Sequence, residues 1–435
     1  MSQLINNAHQ VLLNNWRDGF TIPCENLYPF QWFWDSGFIA IGWSHLDEKK
    51  AHQELNSIFK GQWKNGFIPH IIFHNESDTY FPGPEVHAAN LSANSPETKT
   101  SGITQPPVLG FVLEALFQNS ANPQDHQDFF EQAFDKIYHN HHYFYTHRDP
   151  NNEGLVYICH NWEAGTDNTP VWDEIWKTFE VPEYQFQRRD TQLVDASHRP
   201  TNKEYQYYIH LIELFKKWKY DDTLIAENSP FLIQDPLFNS MLIASNQSLI
   251  RLGKGFGKDT EVSQLEQWNE KAIAACNEKL YDEDSKGYVY YDLRNERVLP
   301  YLSSSSFTPL FAGIPSEERA KQLVSHFQGG RFSGPNHENY LCASFDPSSE
   351  HFNPEKYWRG PIWINLNWLI YKGLLAYGFK EEAETIKKDT LFFMEKYGFY
   401  EYFEPSKAKN ENLTKGYGGN NFSWSAALTI DLLTN

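Results

Sequence analysis

Carboxylates interleaved with indoles fill the stretch NWEAGTDNTPVWDEIW at 161–176, where Glu163, Asp167, Asp173 and Glu174 alternate with Trp162, Trp172 and Trp176. A carboxylic acid held against an aromatic wall loses solvation, its charged form is disfavoured, and its pKa rises toward the range of a general acid. Asp167 is the candidate proton donor. The competing expectation is a helix N-cap, because Asp167 and Asn168 precede Thr169-Pro170. A second acidic group lies in GFYEYFEP at 398–405, which carries Glu401 and Glu404. In extended alternation Glu401 and Phe403 point one way while Tyr402 and Glu404 point the other, so one acid at most faces a cavity. Either could be a base, and an exposed turn with two solvated glutamates is the alternative.

Three further segments combine stacking rings with hydroxyl-binding groups: YPFQWFWDSGF at 28–38, TSGITQPPV at 100–108 and YWRGPIWINLNW at 357–368. Tyr28, Trp32, Trp34, Tyr357, Trp358 and Trp363 supply rings, Asp35 and Gln105 could each grip two sugar hydroxyls, and Arg359 could tie a carboxylate in place. The whole composition leans the same way: 14 Trp, 24 Tyr and 32 Phe bring aromatics to 16% of the chain, yet mean hydropathy is −0.61. Sugar rings offer apolar faces to aromatic rings and hydroxyls to carboxylates and amides. A core rich in large residues would give the same count.

The charge balance narrows the partners. With 56 acidic and 37 basic residues the net charge is −19, a field that repels phosphate backbones and anionic membranes. No basic leader precedes an apolar run and no long apolar span occurs, so a soluble, cytoplasmic protein is expected. Cys24, Cys159, Cys276 and Cys342 are far apart, without a C-x-x-C pair. The His-rich run HNHHYFYTHRD at 139–149 lacks the H-E-x-x-H spacing that sets two imidazoles on one metal, and YDEDSKG at 281–287 has Leu293 where a calcium loop from Asp282 needs a Glu. No metal and no cofactor is expected.

These groups need a scaffold. Helical periodicity runs through 3–18, 36–60, 107–119, 124–147, 203–219, 236–253, 261–279, 317–327, 364–377, 380–396 and 422–433. A strand is expected in GYVYYDL at 287–293. Long connections at 66–107, 150–200 and 328–363 carry polar residues near tryptophans, and loops of this length are usually functional. No linker divides the chain. The expectation is all-α: one domain over 1–435, a closed toroid of antiparallel helix pairs or an irregular helical array, with insertions near 66–107 and 150–205 capping a pocket.

YPFQWFWDSGF, GFIPHIIF, SGITQPP, the E-x-G-x-D-N-[ST]-P-x-W core at Glu163–Trp172, YWRGPIW, EYF-x-P and FSWSAAL at 422–428 together resemble the bacterial members of glycoside hydrolase family 63, within it the mannosylglycerate and glucosylglycerate hydrolase branch. The resemblance spans roughly residues 28–425. It implies an (α/α)6 barrel and an inverting exo-α-glycosidase without metal cofactor. It implies Asp167 as general acid and Glu401, rather than Glu404, as general base, with the carboxyls about 6.5 to 9.5 Å apart to admit a water. It implies a sugar gripped by Trp34, Asp35, Gln105, Trp363 and Trp424. Through the R-P-T-x-x-E-Y element at Arg199–Tyr205 it further implies that Arg199, Tyr205, Tyr80 and Tyr357 hold a glycerate, a small carboxylate suited to a two-pronged guanidinium. The alternative for Arg199 is a surface pair with Asp190 or Asp195. An α-glucosidase or α-mannosidase on short oligosaccharides is the second functional reading, and a catalytically silent sugar-binding protein the third. A homo-oligomer is compatible with the sequence.

Overall fold

The computed structural model describes residues 3–434. Its long helices are α1 (Gln3–Asn15), α2 (Phe33–Ser44), α3 (Glu48–Phe59), α4 (Leu109–Asn119), α5 (Gln127–His147), α6 (Asn202–Lys217), α7 (Pro236–Phe256), α8 (Asp259–Ala275), α9 (Glu317–Gln328), α10 (Ile364–Ala376), α11 (Lys380–Tyr397) and α12 (Ser423–Thr434). They divide by burial. In α2, every residue from Phe33 to Trp43 is buried, and α12 is buried from Ser423 to Leu432. A helix that is apolar all round must be enclosed by others, whereas one with a single apolar stripe lies outside. In α3 that stripe is Ala51, Leu55 and Ile58, and in α9 it is Ala320, Leu323, Val324 and Phe327.

The enclosed elements touch one another in a closed circuit: α2 to α4, α4 to α7, α7 to the 3-10 segment Ser304–Leu310, that segment to α10, α10 to α12, and α12 back to α2. The striped helices back them. α1 lies on α12, α3 on α2, α5 on α4 and α7, α8 on α7, and α11 on α10, while α9 reaches the 3-10 segment through Phe327, 4.4 Å from Phe307 between ring centroids.

Three expectations need correction. The periodicity at 36–60 covers two helices, because the Asp47 side chain accepts the Lys50 N–H and caps a new helix after the turn at Ser44–Leu46. The fourth member of the circuit was not expected as a helix. Its sequence, SSSFTPL, carries Pro309 and three serines and follows Ser303; Ser303 accepts the Ser305 N–H, and the Ser306 hydroxyl accepts the Ser303 N–H, which closes the first turn. The strand at 287–293 is two: Gly287–Tyr288 pairs with Tyr281–Asp282, whereas Tyr290–Asp292 pairs with Ile233–Gln234 and Arg297–Leu299.

Two short ladders set the directions of inner helices. Gln31–Trp32 pairs antiparallel with Ile71–Ile72 immediately before α2, and Ile362–Trp363 pairs with Tyr402–Phe403 immediately before α10. Each fixes the entry to its helix, and the second lays Glu401 beside Trp363.

Candidate active site

The N-terminal ends of the inner helices α2, α10 and α12, and the segment leading into α4, converge on one cavity of about 750 Å³ including its mouth. Trp34 and Asp35 stand in the first turn of α2, Gln105 precedes α4, Trp363 precedes α10 and Trp424 opens α12. Both long connections reach the same space, the first through Tyr80 and the second through Asp167, Arg199 and Tyr205. Tyr28, Trp32, Tyr357, Trp358 and Glu401 complete the wall.

Asp167 does not cap a helix. The short helix that follows, Trp172–Trp176, has Val171 at its N-cap, and Asp167 lines the cavity. Its loop is held from behind, with the backbone carbonyl of Asp167 accepting from the Asn161 amide at 2.8 Å and the Asn168 side chain accepting the Trp358 N–H at 2.9 Å. Burial pushes the Asp167 carboxyl up to about 7; Arg199 opposes the rise, and the charge of Glu401 adds to it. The Tyr357 hydroxyl, on the same cavity wall, also favours the charged form of this carboxyl.

Glu401 is 1% exposed. It is no solvated turn residue: Oε1 accepts from the Tyr28 hydroxyl at 2.8 Å, Oε2 accepts the Gly419 N–H at 2.9 Å, and Arg199 Nη1 stands 3.8 Å from Oε1. Burial raises its pKa, while Arg199 and those two donors oppose the rise. Glu404 is equally buried but lies outside the cavity, accepting from the Ser406 N–H at 3.1 Å and the Tyr417 hydroxyl at 3.3 Å. Asp35 also lines the cavity; burial lifts its carboxyl well above the usual range, and Glu401 adds to the effect.

Arg199 joins both expectations made for it. Its Nε donates to Asp190 Oδ2 at 3.0 Å, as the ion-pair reading requires, but the pair is not on the surface. Nη2 donates to the Tyr28 hydroxyl at 3.0 Å, and the guanidinium lies 4.0 Å from the Tyr357 ring centroid. Nη1 is buried and has no hydrogen-bond acceptor. A buried N–H without a partner is costly, so Nη1 is poised for an anionic oxygen. Asp195 is elsewhere engaged, accepting from the Ser197 N–H.

The rings form a box. Trp358 and Trp363 stack 3.7 Å apart at 5°, Trp363 meets Trp424 at 73°, and Trp34 meets Trp424 at 89°. The Trp424 indole N–H is buried and unpartnered. Arg359 is the one expected ligand-binding residue that does not reach the cavity. Its guanidinium makes a two-pronged pair with Asp173 at 3.0 and 2.6 Å and donates to the Asn168 carbonyl, which clamps the Asp167 loop onto the Tyr357–Arg359 turn. Wall residues not anticipated include His70, Trp162, Asp190 and Phe422. His70 Nδ1 sits 2.6 Å from the Ser101 hydroxyl, and its ring is near-parallel to Trp162 at 16°; its place in the GFIPHIIF segment was the available signal.

The discounted signals have ordinary structural roles. His141 Nδ1 meets Asn246 at 2.7 Å inside the helix packing, His142 lies against Trp268, and Asp282 closes a turn by accepting the Ser285 N–H. Among the described residues no helix is long and apolar enough to cross a membrane.

An acid lifted to near neutrality, a second buried carboxyl across the same cavity and a tryptophan box are the equipment of a glycosidase. Residues 28–425 match the family described as "Mannosylglycerate hydrolase MGH1-like glycoside hydrolase domain". A mannosylglycerate hydrolase from Thermus thermophilus is 38% identical over 97% of this chain and 99% of its own length, and a glucosylglycerate hydrolase from Mycolicibacterium hassiacum is 32% identical over 99% and 98%. The crystal structure of a family 63 mannosylglycerate hydrolase from Thermus thermophilus, in complex with Tris and D-glycerate, superposes with a TM-score of 0.91 at 38% identity, covering 99% of this chain and all of that one. The chain belongs to this MGH1-like branch of glycoside hydrolase family 63 and is a glycoside hydrolase.

Proposed function

We propose that the protein is an inverting exo-α-glycosidase that hydrolyses a glycerate glycoside, either glucosylglycerate or mannosylglycerate. Asp167, protonated, donates to the glycosidic oxygen, while Glu401, ionised, removes a proton from a water on the opposite face of the sugar. Trp34, Asp35, Gln105, Trp363 and Trp424 grip the sugar, and Arg199 with Tyr80, Tyr205 and Tyr357 holds the glycerate. The observation that carries the reading is electrostatic: across one cavity, Asp167 is lifted to about 7 while Glu401 has Arg199, the Gly419 N–H and the Tyr28 hydroxyl favouring its charge. Burial raises both carboxyls, but Glu401 alone has two hydrogen-bond donors and a nearby guanidinium aimed at its oxygens, and that difference of environment divides the roles into acid and base.

Glycerate as the aglycone is supported by the unpartnered Nη1 of Arg199 and by relatives named for glycerate glycosides. For the scaffold we read the closed circuit of six inner elements, each backed by an outer helix, as an (α/α)6 barrel in one domain whose loops near 66–107 and 150–205 cap the site. A reducing, cytoplasmic setting suits four buried free thiols.

The test is sugar release from glucosylglycerate, mannosylglycerate, kojibiose and nigerose, with the product anomer followed by proton NMR. β-Sugar from a glycerate glycoside is the expected result, and Asp167→Asn and Glu401→Gln should each lower turnover by roughly 10²-fold or more. Release of α-sugar, or near-wild-type turnover in either variant, overturns the mechanism. Activity on the disaccharides alone retires glycerate.

A further inference from the structure

An inverting hydrolysis leaves its two carboxyls in the wrong states. Water adds to the anomeric carbon as the glycosidic C–O bond breaks; Asp167 has given its proton to the departing oxygen, and Glu401 has taken one from the water. Before the next turnover a proton must pass from Glu401 to Asp167. That requirement rests on the acid and base roles proposed for these two residues.

A bonded pair of hydroxyls leads from one carboxyl toward the other. Tyr28 Oη lies 2.8 Å from Glu401 Oε1 and 3.2 Å from Tyr357 Oη, and Tyr357 lines the same cavity wall as Asp167, where its hydroxyl favours the charged form of that carboxyl. We propose that Tyr28 and Tyr357 form a proton relay that resets the enzyme by carrying the proton from Glu401 back to Asp167 without exchange through bulk water. The transfer is three concerted hops. Glu401 gives its proton to Tyr28 Oη, Tyr28 gives its own to Tyr357 Oη, and Tyr357 gives its own to Asp167. Three O–H bonds break and three form, and neither phenol is left charged.

Concertedness is required, because burial holds both phenols well above their ordinary range and a free tyrosinate is out of reach. Arg199 supports the transient charge: Nη2 donates to Tyr28 Oη at 3.0 Å, and the guanidinium lies over the Tyr357 ring. The hydrogen bond in which Tyr28 donates to Glu401 is the arrangement left after the third hop, with Glu401 ionised. To run again, the two hydroxyls rotate so that Tyr28 accepts from protonated Glu401 and Tyr357 donates to Asp167.

A relay makes kcat independent of buffer, whereas a broken relay leaves the reset to whatever acid and base diffuse in. The experiment is kcat at saturating substrate for wild type, Tyr28→Phe, Tyr357→Phe and the comparison Tyr377→Phe, whose hydroxyl donates to the Pro315 carbonyl away from the cavity, against imidazole concentration at fixed pH and ionic strength. Matching thermal midpoints establish that the variants are folded. Expected is a kcat that does not respond to imidazole in wild type or Tyr377→Phe, with Tyr28→Phe and Tyr357→Phe reduced on the order of tenfold at low buffer and recovering saturably as imidazole rises. A binding or packing role for these tyrosines would move KM or kcat but give no recovery. No imidazole response in either tyrosine variant, with Asp167→Asn and Glu401→Gln inactive, overturns the relay alone; active Asp167→Asn or Glu401→Gln overturns the acid–base reading and the relay with it.

Discussion

At the scale of single residues, Arg199 links the proposed glycerate site to the protonation of Asp167. Its Nη1 stands 3.8 Å from Glu401 without a hydrogen-bond acceptor, and its charge opposes the rise of the Asp167 pKa. Its removal should therefore do two separable things. Glycerate should cease to inhibit Arg199→Ala, and KM for the glycerate glycoside should rise roughly 10- to 100-fold, the usual worth of a charged hydrogen bond. The pH profile should move as well. A general acid works only while protonated, so with Asp167 in the proposed role the basic limb of kcat/KM should track it, near pH 7 in the wild type. Loss of the opposing cation raises that pKa, and the limb should shift to higher pH; an unchanged limb would separate Arg199 from the acid. Places on the cavity wall were legible where chemistry is local. Trp34-Asp35 and the Asp167 segment declare themselves by acids beside indoles. Arg359 misled because its partner Asp173 lies 186 positions away, and an arginine near tryptophans reads alike whether it awaits a ligand or already holds a carboxylate. His70 gave no signal of its own because one imidazole between Pro69 and Ile71 is as often core as wall.

At the scale of elements, Glu401, the proposed base, is placed by a turn as much as by its strand. The loop after Glu401 folds back so that Gly419 N–H reaches Oε2, and Gly418 adopts a φ of +69° directly over the carboxylate. A Cβ at Gly418 would collide with Glu401 Oε2 and the Tyr402 ring. Gly418→Ala should therefore displace the base and cut kcat by about 10²-fold, as small misplacements of catalytic groups do. Gly313→Ala is the matched control: it carries a similar φ of +64° with nothing within 4 Å, so it bears the backbone strain without the collision and should keep wild-type activity. Equal losses in both would assign the effect to strain. The outer helices were readable because a 3.6-residue stripe survives wherever one face meets solvent. The fourth member of the inner circuit was not, because Ser304–Leu310 is short, buried throughout, carries Pro309, and has its first turn closed by serines bonding locally, leaving no helical pattern to detect. The break between α2 and α3 was missed for the opposite reason: apolar spacing ran on across a turn that only the Asp47 cap marks.

For the whole molecule, burying this many ionisable groups makes stability a balance between two sets that titrate in the same range. Burial raises Glu54, Asp167, Asp235 and Glu404 to about 7 and Asp389 to about 6. A carboxyl whose folded pKa exceeds its unfolded value stabilises the fold while protonated, and that contribution is lost as pH rises through the folded pKa. Buried imidazoles act oppositely. Burial lowers His52, His74, His141 and His160 to about 4 and His87 to about 3, so the unfolded chain binds their protons first, and stability falls as pH drops below about 6.5, the ordinary histidine value. Between roughly 4.5 and 6.5 the two slopes oppose each other and the thermal midpoint should be nearly level. Above 6.5 the imidazoles are neutral in both states and only the carboxyls still titrate. The net charge of −19 adds self-repulsion in the same direction. The midpoint should accordingly fall by a few degrees between about pH 6.5 and 8, and fall again below about pH 4, where the unfolded chain protonates Asp431 while the fold, through His45 and Lys372, holds that carboxyl at about 2 against its burial. Differential scanning calorimetry from about pH 3.5 to 8.5, at a fixed ionic strength, checks this directly. A midpoint that rises across the upper part of that range would mean that the buried carboxyls are charged in the fold at neutral pH, and with that result the protonated Asp167 on which acid catalysis depends would lose its support.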